Sequence, residues 1–155
     1  MNIQNDASKQ IEISLASEED ALGIYDVNCA SLGYTFPLEN TLKRVSALLK
    51  RCDDRIWVAK LDGKLIGYAH ATSFECSYTE PLKYLHILGV LPEYQNFGVG
   101  KLLIAKAEQW ALEDGCAGVT LVSGVARLAA HQFYLKRNYK NTKDEKFFIK
   151  YFDEK

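Results

Sequence analysis

Leu88-Gly89-Val90-Leu91-Pro92-Glu93-Tyr94-Gln95-Asn96-Phe97-Gly98-Val99-Gly100-Lys101 is the stretch that decides how this chain folds. The apolar run from Tyr84 to Val90 reads as a strand and stops at Leu91-Pro92, because proline removes a ladder donor and biases the residue before it away from helix. A glycine-punctuated loop follows. From about Val99 to Asp114 the apolar residues Val99, Leu102, Leu103, Ala107 and Trp110 recur at helical spacing, and Gly115 is placed to cap the end. A strand that bends tightly into a helix start makes an anion site. The first N–H groups of the helix lack intrahelical acceptors and carry partial positive charge, Gly98 and Gly100 admit an oxyanion close to the main chain, and Lys101 adds a full charge. The spacing is not G-x-x-x-x-G-K-[ST], which excludes a P-loop, and a G-x-G without the third glycine disfavours a dinucleotide fingerprint. Taken alone, Q-x-x-G-x-G also serves a plain strand-to-helix connection, so its context decides.

Toward the N-terminus, Arg55 to Leu61 and Lys64 to Phe74 read as strands joined by Asp62-Gly63, a type I′ hairpin signal. Leu38 to Arg51 predicts a helix that buries Leu42, Val45, Leu48 and Leu49. Before it, Ser17 and Asp20 form a capping box for a helix with Ala21, Ile24, Tyr25 and Leu32 inward, stopped by Gly33. Ile11, Ile13 and Leu15 alternate as a first strand. Toward the C-terminus come a short strand at Gly118 to Val122 and a helix at Leu128 to Arg137 followed by Asn138 in the left-handed position. Lys146 to Phe152 alternates as a last strand. The pattern is mixed α/β (α+β).

The length of 155 residues fits one domain, with roughly 68 to 70% of the unfolded surface buried. Residues 11–155 read as that single domain behind a flexible polar segment, 1–10, because no linker, repeat or low-complexity tract divides the chain. Hydrophobic residues make up 48% and charged residues 25%, and 19 Lys and Arg against 20 Asp and Glu leave a net charge of -1. That balance excludes disorder by charge repulsion and argues against general nucleic-acid binding, while a local basic patch can still hold phosphate. Cys29, Cys52, Cys76 and Cys116 form no C-x-x-C pair and no disulfide framework, so reduced thiols are expected. With neither a signal-peptide core nor an apolar run of membrane length, a cytoplasmic protein is expected.

Leu88, Val90, Pro92, Gln95, Gly98 and Gly100 match, in order, L-x-V-x-P-x-x-[QR]-x-x-G-x-[GA]. On these residues the chain resembles the GNAT superfamily of N-acetyltransferases. Arg127-Leu128-Ala129-Ala130-His131-Gln132-Phe133-Tyr134 is similar to the family's N-x-x-A-x-x-F-Y segment, and the resemblance covers about Ile11 to Phe152. It implies a central mixed, mostly antiparallel sheet of six to seven strands flanked by about four helices. It also implies acetyl-CoA as cofactor, its pyrophosphate held by loop amides from Gln95, Asn96, Phe97, Gly98, Val99, Gly100 and Lys101. The backbone of Val90 would pair with pantetheine, and the Leu88 N–H would face the thioester oxygen as an oxyanion donor, worth about 3 to 4 kcal/mol. Tyr134 matches the tyrosine that protonates or hydrogen-bonds the departing sulfur. Arg127 replaces the usual asparagine, and as a cation it suits either a CoA phosphate or solvent. The resemblance assigns no residue to a metal and implies no membrane partner; a transfer-RNA-acetylating toxin is a further option, which would call for an extended basic surface, and the net charge of -1 offers it no support. Similar proteins often dimerise, and the C-terminal strand is one surface for that.

Acetyl transfer needs a neutral amine, yet an alkylammonium of pKa about 10.4 is protonated at pH 7, a deficit of about 4.6 kcal/mol. His86 precedes Leu88 by two, so strand alternation places both side chains on one face. Leu85-His86-Ile87-Leu88-Gly89-Val90 is similar to the strand of arylalkylamine N-acetyltransferases in which a histidine is the base. Direct transfer to imidazole is uphill by about 5 kcal/mol, so a water relay acting on the tetrahedral adduct is easier. A hydrogen-bonded core histidine is the competing reading, and Glu75 or Glu80 could instead reach in as a carboxylate base. His70 reads as a sheet-face residue and His131 as an outer helix residue. For the acceptor, the variable regions offer Tyr34, Phe36, Glu75 and Tyr78, with Tyr25, Phe74 and Glu80, aromatic rings and carboxylates suited to a cationic amine; core packing and solvated charge explain them equally well. Small amine, polyamine, aminoglycoside and protein N-terminus stay open, as does an acyl-CoA-binding sensor or interaction module without catalysis.

Overall fold

The computed structural model describes residues 10–153. The expected flexible segment 1–10 lies, except for Gln10, outside them. In chain order the elements are β1 (Ile11–Leu15), a 3₁₀ turn (Glu18–Asp20), α1 (Ala21–Leu32), α2 (Leu38–Leu49), β2 (Asp54–Leu61), β3 (Lys64–Cys76) and β4 (Thr79–Val90). A second 3₁₀ turn (Pro92–Tyr94), α3 (Val99–Glu113), β5 (Gly118–Leu121) and α4 (Leu128–Lys136) complete them. The chain divides after Val122 into two compact units.

In the first unit, five strands form one sheet in the order β1-β2-β3-β4-β5. The first three pairings are antiparallel and β4 with β5 is parallel, so the sheet is mixed and mostly antiparallel. Asp62 (φ 50°) and Gly63 (φ 80°) both take positive φ, as a two-residue I′ turn requires between right-twisted strands. Ser17 N–H donates to Asp20 Oδ2 at 2.8 Å at the 3₁₀ turn leading into α1, and buried Asp20 also pairs with Lys60 Nζ at 2.7 Å.

Each sheet face has its own helices. On one, Ala21, Ile24 and Val27 of α1 and Val45 of α2 pack with Ile56, Val58, Tyr68 and Leu91, and Ile87 joins them. Leu42 was expected in this layer but is 43% exposed; Thr41, one position earlier, turns inward instead and donates its hydroxyl to the Pro37 carbonyl. The other face carries α3, with Val99, Leu103, Ile104, Ala107, Trp110 and Ala111 buried and Trp110 set edge-on to Trp57 at 5.9 Å. No helix of the described residues is long and apolar enough to cross a membrane.

The second unit contains α4, closed as the sequence predicts: Asn138 has φ 67°, its N–H reaches Leu135 O, and Tyr139 N–H reaches Tyr134 O. The predicted last strand from Lys146 to Phe152 is not formed, and the sheet has five strands rather than six to seven. Alternation specifies which residues share a face but supplies no hydrogen-bonding partner, and Phe147, Phe148, Ile149, Tyr151 and Phe152 are all exposed.

Gly89 is where α1 meets the sheet: a Cβ there would stand 2.9 Å from Val27 Cγ1. Gly89→Ala is expected to cost about 1–3 kcal/mol in urea unfolding, and Val27→Ala in the same chain to recover part of it, giving a non-additive cycle.

Candidate active site

The β4 strand is longer than its partner on one side. Its register with β5 runs from Leu82↔Gly118 to Leu85↔Leu121 and ends there, while β4 continues to Val90. Against β3 the register passes from Ala71↔Leu85 to His70↔Ile87, which leaves His86 as an extra, bulged residue. Beyond it, Leu88 lies opposite Ala69 and Val90 opposite Gly67. From His86 to Val90 the strand therefore has β3 on one edge and no β5 partner on the other.

The bulge overturns one expectation. Ile87 opposes His70, and the His86 ring stacks on the His70 ring with centroids 4.8 Å apart. Leu88 opposes Ala69, the next residue along β3, so it points to the other face. His86 and Leu88 therefore do not share a face: the inserted residue cancels the alternation that would have aligned them.

The bare edge leads directly into the glycine loop. Asn96 (φ 70°) and Gly98 (φ 83°) take left-handed conformations, and Gly98 is the N-cap of α3 with no side-chain cap. Nothing lies within 4 Å of where a Cβ on Gly98 would stand. The open N-terminal N–H groups and this space fit an anion held by main-chain amides. The Gln95 side chain turns back and donates from Nε2 to the Val90 carbonyl at 3.1 Å, bracing the loop on the strand end. Val99 and Val90 meet over Gly67, each with a methyl 3.3 Å from the position of a Gly67 Cβ, so the helix start is anchored at the end of the bare edge. Gln95, Asn96 and Lys101 are exposed, and Phe97 and Gly100 are half-buried.

On the His86 face, sequence reasoning missed most of the arrangement. Asp54, at the start of β2, accepts from Arg51 Nε at 2.6 Å through Oδ2 and lies 2.7 Å from His70 Nε2 through Oδ1. Burial alone would raise the Asp54 carboxyl, but the hydrogen bonds from Arg51 and His70 outweigh it and hold the group below its usual range. Tyr84 packs on His86 with centroids 4.8 Å apart, and Phe74 stacks beside Tyr84. His86 is exposed, yet the desolvation of its ring by the groups packed on it, followed by the neighbouring His70, lowers its pKa below 6.5; Asp54 opposes the change. Asp54, His70 and His86 offer ligating atoms within 4.8 Å of one another; Arg51, Asp54 and His70 are joined by hydrogen bonds, and His86 is stacked on the last of them.

The expected acceptor residues are spread over several elements. Tyr34 and Phe36 are about half exposed between α1 and α2; Glu75 is exposed near the end of β3; and Tyr78, 81% exposed, sits at the tip of the β3–β4 hairpin. At about 3.3 Å per residue, Thr79 is roughly 23 Å along the strand from His86, which puts Tyr78 and Glu80 beyond its reach. Tyr25, on α1, is half-buried.

In the second unit, Tyr134 is half-buried on α4 with Phe133 and Tyr139 edge-on to its ring, and burial raises its phenol pKa against a smaller opposing effect of Arg127. Arg127, the N-cap of α4, is exposed. His131 Nε2 lies 2.8 Å from the Gly124 carbonyl, so its imidazole ties α4 to the preceding turn.

A solved aminoglycoside N-acetyltransferase in complex with CoA has the same fold, with a TM-score of 0.80 at 19% identity over 90% of this chain and 94% of that one. The chain belongs to the acetyltransferase (GNAT) family, whose sequence profile matches residues 22–139. An uncharacterized N-acetyltransferase of Archaeoglobus fulgidus is 33% identical over 93 residues, spanning 59% of this chain and 63% of that protein. The aminoalkylphosphonate N-acetyltransferase of Salmonella typhimurium is 24% identical over 143 residues, 92% of this chain and 93% of that protein.

Because the Asp54 carboxyl pKa is lowered in the folded state, the stability it contributes is in place above its ordinary value of 3.8 and disappears as pH falls through the lower folded value. Asp54→Asn is expected to lower urea stability at pH 7, with the gap to the unaltered protein closing in acid; an equal gap at both pH values would contradict this.

Proposed function

We propose that this protein is an acetyl-CoA-dependent N-acetyltransferase that moves an acetyl group from CoA to a primary amine by direct attack on the thioester. The observation that carries the proposal is the continuity of the β4 edge from His86 to Val90, which no second strand covers, with the uncapped N-terminus of α3. Such a strand edge can pair with an amide-bearing arm, and the helix start can hold the diphosphate at its end. Acetyl-CoA, when bound, supplies an acyl group activated as a thioester. Amides from Gln95 to Lys101 hold the diphosphate, the Val90 backbone and its neighbours orient the arm, and the Leu88 N–H is the oxyanion donor.

His86, kept neutral by the desolvation of its ring and by His70, accepts the amine proton through water. The raised pKa of Tyr134 keeps its phenol protonated at neutral pH, which makes it a hydrogen-bond donor to the departing sulfur more readily than a full proton donor. Arg127 supplies a cation toward CoA phosphate. The similarity to aminoalkylphosphonate and aminoglycoside acetyltransferases supports a small molecule bearing a primary amine as acceptor, with polyamines and protein N-termini as further candidates. A catalytically silent acyl-CoA sensor is the alternative, and it differs in one outcome: saturable binding with no turnover.

Calorimetry with CoA and a panel of amines assayed by free-thiol release test the proposal. Saturable CoA binding and acetylation of at least one amine are expected; folded protein that takes up no CoA would refute it. With an accepted amine, kcat/KM is expected to rise with pH through a midpoint below 6.5, because the unprotonated form of His86 is the active one. His86→Gln is expected to remove that limb and lower kcat by about 10²-fold or more, and Tyr134→Phe to lower kcat by about tenfold with KM for acetyl-CoA little changed.

A further inference from the structure

Resting on that reading, we infer that Arg51, Asp54 and His70 are the positioning element for His86: a hydrogen-bonded chain that pins the His70 ring, against which the bulged His86 imidazole is stacked. Each link is fixed. The Asp54 side chain is 6% exposed, with one oxygen bound to Arg51 Nε at 2.6 Å and the other 2.7 Å from His70 Nε2, so the carboxylate cannot turn without breaking both contacts. The His70 side chain is 13% exposed and thereby fixed in plane and direction. His86 lies over it with centroids 4.8 Å apart and planes inclined by 30°, and Tyr84 packs tilted against His86 at 4.8 Å.

The geometry also divides labour between two imidazoles. The carboxylate is bonded to His70 and not to His86, which is held only by ring contacts. The ring nitrogens of His86 have no hydrogen-bond partner among the described residues, which leaves a lone pair for the acceptor or its water. The groups facing His86 are Tyr84 from its own strand, His70 from β3 and Asp54 from β2. Of these, His70 disfavours the His86 cation and Asp54 favours it. His70 thus acts through His86 without touching substrate, and it keeps the bulged histidine both oriented and neutral.

The test reads His86 directly. The three histidines are followed by NMR of their ring Cε1–H signals through a pH titration, in the unaltered full chain and in two variants. His70→Gln keeps a donor for Asp54 and removes the imidazole; His70→Phe keeps a stacked ring and removes the ring nitrogens. The His86 midpoint is expected to rise toward its ordinary value in both, by roughly a threefold or greater gain in proton affinity. The acid limb of kcat/KM should shift upward with it, while KM for acetyl-CoA stays constant. An unchanged His86 midpoint in both variants overturns the inference, and if His70→Phe fails to fold, His70→Gln alone decides. A midpoint that moves while the rate profile stays in place supports the ring coupling and counts against His86 as the base, which separates failure of this inference from failure of the function proposed above.

Discussion

One extra residue in β4 sets the geometry of the candidate site. Backbone N–H and C=O groups inside a sheet must find partners, and from Leu82 to Leu85 they do, in β3 on one edge and β5 on the other. At His86 the strand gains a residue against β3 and loses β5, and both changes occur within two positions. Beyond the bulge a short run of main chain has no strand along one edge. Gln95 bonded to Val90 and Val99 packed beside it then fasten the glycine loop and the α3 N-terminus to the end of that run.

The two faces of the sheet handle charge differently. On the α3 face a buried cation is matched by its surroundings: Lys83 donates to Asp114 at 2.7 Å and Ser73 at 2.9 Å, and its ammonium lies 3.7 Å above the Trp110 ring. That hydrogen bond holds the exposed Asp114 carboxyl below its ordinary range, and the set serves packing. On the α1 and α2 face, Asp54 is saturated by Arg51 and His70, but His86 is left with rings on its sides and no polar partner. A satisfied cluster stabilises a fold, whereas an unsatisfied base beside an open strand edge is suited to chemistry.

Local signals were legible in proportion to how local their physics is. The Asp62-Gly63 turn, the left-handed Asn138, the Ser17–Asp20 pair and the amphipathic face of α3 all rest on interactions within a few residues, and each appears where the sequence places it. The glycine bend before α3 was legible for the same reason, since glycine at φ 83° and a helix start are properties of one short segment. The Leu42 and Lys146 to Phe152 readings failed because a periodic pattern says which residues can share a side without saying what covers that side.

The chain by itself determined its elements, its mixed α/β class, its family and the loop that leads into α3, because turn chemistry, capping and hydrophobic period are written in adjacent residues. Tertiary structure alone decided that His86 faces His70 rather than sharing a face with Leu88, and that Asp54 and Arg51 stand behind it. Counting outward from the hairpin turn would pair His70 with Arg55, but a register shift between Ala59 and Lys60 pairs it with Ile56, and a second shift inserts His86. Each bulge reverses the alternation for every residue beyond it. Bulges are set by packing between strands, which no run of neighbouring residues records.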